Sequence, residues 1–372
     1  MDERDAYLAL NLIPLLGPRR IQTLVARCGS AAAVWRSPAQ RLIGAARITP
    51  EIAQCVVAAR AQVDVAAELA LAHRHGIAII TRADENYPAS LATIVDPPPV
   101  LYMRGALRSQ DAVAVAIVGS RYASPYGVTT AERLAGELAA RGVAIISGLA
   151  RGIDAAAHRG ALRAGGRTLA VLGSGLLRLY PEEHEALAQQ IAASGAVISE
   201  FPLDTPPLRQ HFPRRNRLIS GLALGVIVVE AAQRSGALIT ADLALEQGRE
   251  VFAVPGTVDA LTSRGTNALL RDGARWASSA EDVLEALAVE TATPSTMVSP
   301  SAQAVAAPPL ADEESQLFDR LSDEPQSIDE LATACTWPTA RALVALTNLE
   351  LKRLVKRLPG QRYMRVETCR SR

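Results

Sequence analysis

Between residues 112 and 290, apolar runs of strand length recur: Ala112–Val118, Val143–Ile146, Thr168–Leu172, Ala196–Ile198, Gly225–Val229 and Glu250–Val254. Most are separated by stretches of helical length, such as Tyr126–Ala140, Gly152–Ala164 and Glu183–Ala193. A strand that is apolar at nearly every position is covered on both faces, and strands alternating with helices assemble in parallel. The pattern predicts an α/β domain over 112–290, a Rossmann-like doubly wound parallel sheet.

Either side the rhythm changes. Residues 1–72 read as helices joined by short turns, an all-α domain. Its turn Leu16-Gly17-Pro18-Arg19-Arg20 is similar to the glycine-containing turn of SAM-like and helix-hairpin-helix modules. Amides at such a helix start can hold a phosphate; a plain packing turn fits the same residues. Residues 73–111 are expected to connect this domain to the sheet. A soft boundary falls at Asp96–Pro99, where consecutive prolines forbid a helix. Residues 291–311 carry no charge and four prolines, the composition of a flexible linker. Residues 312–372 predict three short helices and a hairpin around Pro359-Gly360, with Ser327 and Glu330 as a capping box. Three helices and a two-stranded wing make a winged helix.

Composition narrows the class. Of 372 residues, 49% are hydrophobic, which supports packed cores. No apolar stretch approaches the roughly 20 residues of a membrane helix, and the acidic start MDERDAYLAL lacks the shape of a signal peptide. The expectation is a cytoplasmic protein with no membrane segment. Four scattered cysteines form no CxxC pair and the five histidines no HExxH, so no bound metal is expected. The net charge is only +1, but its distribution is uneven. Residues 312–330 hold eight acids and one base, whereas 341–372 hold nine bases and two acids. Such polarity hints at a nucleic-acid face. Only Lys352 and Lys356 are lysines; every other base is arginine.

Ligands of doubly wound sheets bind at the carboxyl ends of the strands. After the first strand comes Gly119-Ser120-Arg121, after the second Ser147–Asp154 with Arg151, and after the third Gly173-Ser174-Gly175 with Arg178. Small residues let backbone approach an anion, and arginine offers a planar fork to phosphate. The densest basic stretch holds Arg209, Arg214, Arg215 and Arg217. Some of these arginines are expected to pair with acids such as Glu200 or Glu230, and others to meet phosphate. Asp154 and His158, four apart, are expected to make a structural contact. There is no GxGxxG, no GK[ST] and no GxSxG, so nicotinamide chemistry, nucleotide hydrolysis and a serine hydrolase are unsupported, and no cofactor is expected.

The segments VAIVGSRYASPYG, ISGLARGIDAAAHRGAL, TLAVLGSG, ISEFP, HFPRRNRLISGL, VVEAAQRSGALITADLALEQGREVFAVPG and GTNALLRDGA occur in this order. Together they resemble the bacterial DprA/Smf family of DNA-processing proteins. That resemblance implies a non-enzymatic role: binding and protecting incoming single-stranded DNA during natural transformation, and loading RecA onto it. It implies contacts through Gly119, Ser120 and Arg121 and around Arg214–Arg217. It also implies a homodimer through the end of the Rossmann-like domain, where Leu269, Leu270 and Trp276 are candidates. One departure is the acidic run Glu182-Glu183-His184-Glu185, where some relatives carry DNA-binding lysines. The low aromatic content, 4%, is expected to limit base stacking. Two other classes use the same modules. A nucleoside-monophosphate phosphoribohydrolase would need PGGxGTxxE, where this chain has QRSGALIT at 233–240. A winged-helix transcription regulator would select one duplex sequence.

Overall fold

The computed structural model describes residues 1–289, 312–321, 326–335, 337–352, 355–358 and 362–365. Contacts divide the chain into two units, Met1–Ser295 and Thr296–Arg372. The linker expected at 291–311 lies outside the described residues.

The first unit opens with helices α1 (Glu3–Asn11), α2 (Pro18–Cys28), α3 (Ala31–Arg36), α4 (Ala39–Leu42), α5 (Pro50–Ala59) and α6 (Val65–Arg74). Leu10, Ile21, Leu24, Val34, Leu42 and Val56 fill the core between them. The first helix also caps the third: the Glu3 carboxylate accepts the Ala31 and Ala32 amides at 2.6 and 2.9 Å. Leu8 packs instead with Ile79, Tyr102 and Val197 of the sheet.

Then come β1 (Ala78–Thr81), α7 (Ala89–Ala92), β2 (Val100–Gly105) and β3 (Ala114–Val118). Strands and helices next alternate: α8 (Pro125–Ala140), β4 (Ala144–Ser147), α9 (Ile153–Arg163), β5 (Thr168–Val171), α10 (Glu185–Ser194), β6 (Ala196–Ser199), α11 (His211–Leu222) and β7 (Gly225–Val228). The unit ends with α12 (Gly236–Glu246), β8 (Glu250–Ala253), α13 (Arg264–Arg271), β9 (Arg275–Trp276) and α14 (Ala280–Ala286). One sheet holds all nine strands in the order β1-β2-β6-β5-β4-β3-β7-β8-β9. The seven from β6 to β9 are parallel; β1 and β2 pair antiparallel at one edge. Along β3, Ala114, Ala116 and Val118 face the α11–α12 layer, and Val115 and Ile117 face α8 and α9. Burial on both faces explains why β3 through β7 read as unbroken apolar runs.

One expectation needs correcting. Residues 73–111 do not merely lead into the sheet; they supply two of its strands. The Pro97–Pro99 run stops any helix, but extended backbone follows at once in β2, which pairs Tyr102 with Ser199 of β6. No helix-length stretch separates these two strands, only the four-residue α7 and the prolines, so they lie outside the strand–helix alternation that marks the rest of the sheet.

In the second unit, α15 (Asp312–Phe318), β10 (Gln326–Ser327), α16 (Ile328–Ala334), α17 (Thr339–Leu351), β11 (Val355–Leu358) and β12 (Arg362–Arg365) form a winged helix with the sheet order β10-β12-β11. The Ser327–Glu330 capping box is present at the start of α16.

Candidate nucleic-acid interface

The chain lays down β3 through β6 in one direction, then returns to place β7 on the other side of β3. Loops leaving β3 and β7 therefore diverge, and a crevice opens at their carboxyl ends. Here it is an open cleft of about 840 Å³, with Gly119–Tyr122 on one side and the first turns of α11 and α12 on the other.

The Gly119-Ser120-Arg121 loop is fixed from two sides. Its Ser120 amide donates to the Glu230 carbonyl at 2.8 Å, and the Ser120 carbonyl accepts the Ile153 amide at 3.1 Å. A side chain at Gly152 (φ +72°) would put its Cβ 2.3 Å from that carbonyl oxygen, so only glycine lets α9 start here. The Glu230 carboxylate accepts both the amide and the hydroxyl of Ser124, the N-cap of α8. Glu230 therefore braces the loop and pairs with none of the basic stretch.

The second loop is riveted by Arg215, which is 4% exposed. Its guanidinium donates to the Gly148 carbonyl at 2.8 Å and to the Val171 carbonyl, tying together the ends of β4 and β5. Burial pushes its pKa down to about 10; Asp154 opposes that shift and Arg121 adds to it. Asp154 accepts the Gly148 and Ala150 amides at 3.1 and 3.3 Å. Burial pushes its carboxyl up, opposed first by Arg215. His158 does not meet Asp154. Its Nδ1 lies 2.6 Å from the Thr168 hydroxyl, and burial pulls its pKa down to about 3.

The third loop is closed to ligand. A Cβ on Gly173 would lie 2.9 Å from the Phe212 ring and one on Gly175 2.2 Å from the Pro202 carbonyl oxygen, while Ser174 is buried. Of the three loops anticipated for phosphate, two border the cleft.

The arginines separate by partner. Arg121 is exposed and lies 5.0 Å over the Phe212 ring; it and the exposed Arg209 have no ion pair among the described residues. Arg151 makes a forked pair with Glu183 at 2.5 and 2.6 Å, and Arg178 pairs with Asp204 at 2.7 Å; all four are exposed. Arg214 is half-buried, 3.1 Å from Glu200 and stacked on Phe201. Arg217, expected among the contacts, is 3% exposed and pairs with Glu200 and Asp96. Its role is internal: Glu200 is fully buried, and an unpaired carboxylate there would be costly.

Sequence reading missed the aromatic lining. Tyr122 is 88% exposed, and Tyr180, 40% exposed, sits 5.8 Å from Phe212 at a tilted angle. Few aromatics in total still allow several at one place. Two of these positions adjoin basic motif residues, Tyr122 after Arg121 and Phe212 two before Arg214, which was the available signal. Among the described residues no group of His, Cys, Asp or Glu could hold a metal, and no helix is long and apolar enough to cross a membrane.

Residues 78–288 match the family model described as DNA recombination-mediator protein A, and 301–361 match the DprA winged helix domain. Protein Smf of Escherichia coli is 42% identical over 288 residues, 76% of each chain. The DNA processing protein DprA of Streptococcus pneumoniae is 44% identical over 201 residues, 54% of this chain and 71% of that one. The chain belongs to the DprA/Smf family. A solved DprA structure from S. pneumoniae superposes with a TM-score of 0.68 at 34% identity, covering 77% of this chain and 98% of that one. A second, from Helicobacter pylori, gives 0.52 at 32% identity over 57% of this chain and 95% of that one. The H. pylori protein is described as having a unique single-stranded DNA binding mode.

The DprA/Smf match begins at β1, within the segment expected to lead into the sheet. The acidic run that departs from some DprA relatives is partly neutralised: Glu183 is taken by Arg151 and Glu185 lies 3.5 Å from Arg104. Of the residues singled out for self-association, Trp276 is 56% exposed on the edge strand β9, whereas Leu269 packs partly against its own core.

Proposed function

We propose that this chain binds single-stranded DNA in the cleft, protects it as it enters the cell during transformation, and helps load RecA onto it. The observation that carries the reading is Arg121: a cation with no acid partner among the described residues, on a braced loop, stacked on Phe212 beside Tyr180 and Tyr122. A phosphate contact flanked by aromatic faces suits a strand whose bases are free to stack, which a duplex does not offer. Arg151 and Arg178 add charge at the rim, where phosphate competes with exposed carboxylates for their guanidiniums. The name of the H. pylori relative supports the same ligand. The buried acids at the strand ends, Asp154, Glu200 and Glu230, are each consumed by structural bonds, which favours binding over catalysis. We further propose a homodimer through the β9 edge.

The deciding experiment titrates the chain against single-stranded and duplex oligonucleotides at two salt concentrations. Tighter, salt-sensitive binding to the single strand is expected. Equal or stronger binding to duplex would overturn the reading. RecA loading is tested separately, as faster RecA assembly on DNA already covered by a single-strand-binding protein.

A further inference from the structure

We infer that the strand held in the cleft continues across the start of α11 into a second, arginine-lined groove, where Arg20 and Arg47 take its phosphates. This rests on the reading of the cleft as a single-strand site.

The groove, about 410 Å³, is lined by Arg19, Arg20, Arg47 and Arg214, with Asp96 as its one acid. These four guanidiniums come from three separate stretches: the turn into α2, the stretch between α4 and α5, and α11. Apart from Gly17 and Pro18 no apolar residue lines it, so its carbon surface comes largely from the arginine stems, which carry their charged heads at the rim. A lining of four cations and one carboxylate selects a polyanion.

The cations are not equivalent. Arg19 lies 3.4 Å from Asp96, and Arg214 is held by Glu200. Arg20 donates to the Leu15 carbonyl at 2.6 Å and has no acid partner among the described residues. Arg47 is exposed, has left-handed backbone (φ +65°), and has no hydrogen bond or ion pair from its side chain among the described residues. Arg20 and Arg47 are thus the groove's available charges. Backbone donors contribute little: Pro18 has no N–H, and the Arg20 and Ile21 amides return to the Gly17 carbonyl at 3.0 and 3.1 Å. The side chains, not the helix start, make the site.

Continuity comes from α11. Its first turns wall the cleft with Phe212, Pro213 and Asn216 and wall the groove with Arg214. One helix, about 10 Å across, separates the two. An ionic chain, Arg19 to Asp96 to Arg217 to Glu200 to Arg214, ties the α2 turn to α11. The cleft and the groove therefore share one frame.

The test uses the full chain carrying Arg20→Gln and Arg47→Gln, with single-stranded oligonucleotides of increasing length. Short strands that fill only the cleft should bind as to the parent. Beyond the length at which the parent gains affinity, the double variant should stop gaining. On the longest strand its salt slope should fall by about 1.4, roughly 0.7 for each lost phosphate contact. Should the Arg20 change disturb the turn, seen as a lowered melting temperature, Arg47→Gln alone should still lower the slope by about 0.7. Parent-like affinity and slope at every length, while Arg121→Glu abolishes binding, would overturn the groove and leave the cleft standing. An equal loss at every length, including the shortest, would also overturn it. If Arg121→Glu binds all lengths like the parent, the cleft reading itself falls.

Discussion

Arg121 and Arg215 lie close enough to influence each other, yet they do different work. Arg121 is exposed and leans on a ring; Arg215 is sealed in and holds two strand ends. Arg121→Ala should leave the melting temperature unchanged and lower the salt slope of single-strand binding by about 0.7. Arg215→Ala should destabilise by about 1–3 kcal/mol for each of the two buried carbonyls it leaves without a donor, and it also removes the positive charge near Asp154. Denaturant titration and binding isotherms on the two variants check both; equal stability loss would collapse the distinction. His158 gives a pH prediction. Folding holds it neutral down to about pH 3, while the unfolded chain takes up a proton near 6.5. The unfolded state thus binds more protons between those values, and stability falls as the pH drops, by up to about 1.4 kcal/mol per unit. His158→Gln should flatten that acid limb. Parallel curves for parent and variant would show that another group controls it.

Among the elements, legibility followed the alternation of strand and helix. Strands β3 to β8 are apolar runs separated by helix-length stretches, so they announced themselves. β1 and β2 are as apolar and as buried, but only the four-residue α7 and a proline run lie between them, so they fell outside that alternation. The loop proposed to meet phosphate was legible as a candidate because glycine, serine and arginine directly follow an apolar strand. Whether a given arginine faces solvent was not legible: Arg214, Arg215 and Arg217 are nearly adjacent in sequence, and only the positions of Glu200, Gly148 and Asp96 in space sort them. The winged helix repeats the lesson. In α17, Arg341 stacks on Trp337 at 4.9 Å, and Leu343 and Val344 are exposed. Lys352, just past its end, pairs with Glu314. A helix so poor in free polar groups makes few bidentate base contacts. Removing 291–372 should therefore leave most single-strand affinity in place. Selection of one duplex sequence by the isolated unit, at about 1–3 kcal/mol per base pair, would contradict this.

The sheet ends at β9, a two-residue edge bearing the exposed Trp276, and Val258 and Leu261 nearby in sequence are also exposed. An unpaired strand edge bearing an exposed tryptophan is suited to self-association about a two-fold axis. Trp276→Glu should shift sedimentation from dimer to monomer at micromolar concentration without lowering the melting temperature. A parent that sediments only as monomer would defeat the dimer.

The cleft and the groove draw their positive charge entirely from arginine. Guanidinium stays protonated throughout the working range of pH, so the affinity of this surface should not titrate between mildly acidic and mildly alkaline buffers. Reversible lysine acetylation, which can silence a lysine-lined DNA groove, has nothing to modify there. The two lysines belong to the C-terminal unit, at 352 and 356. Amine-reactive dyes would thus mark that unit and the chain's amino terminus while leaving the binding surface chemically untouched, giving a labelled protein whose DNA affinity should equal that of the unlabelled one.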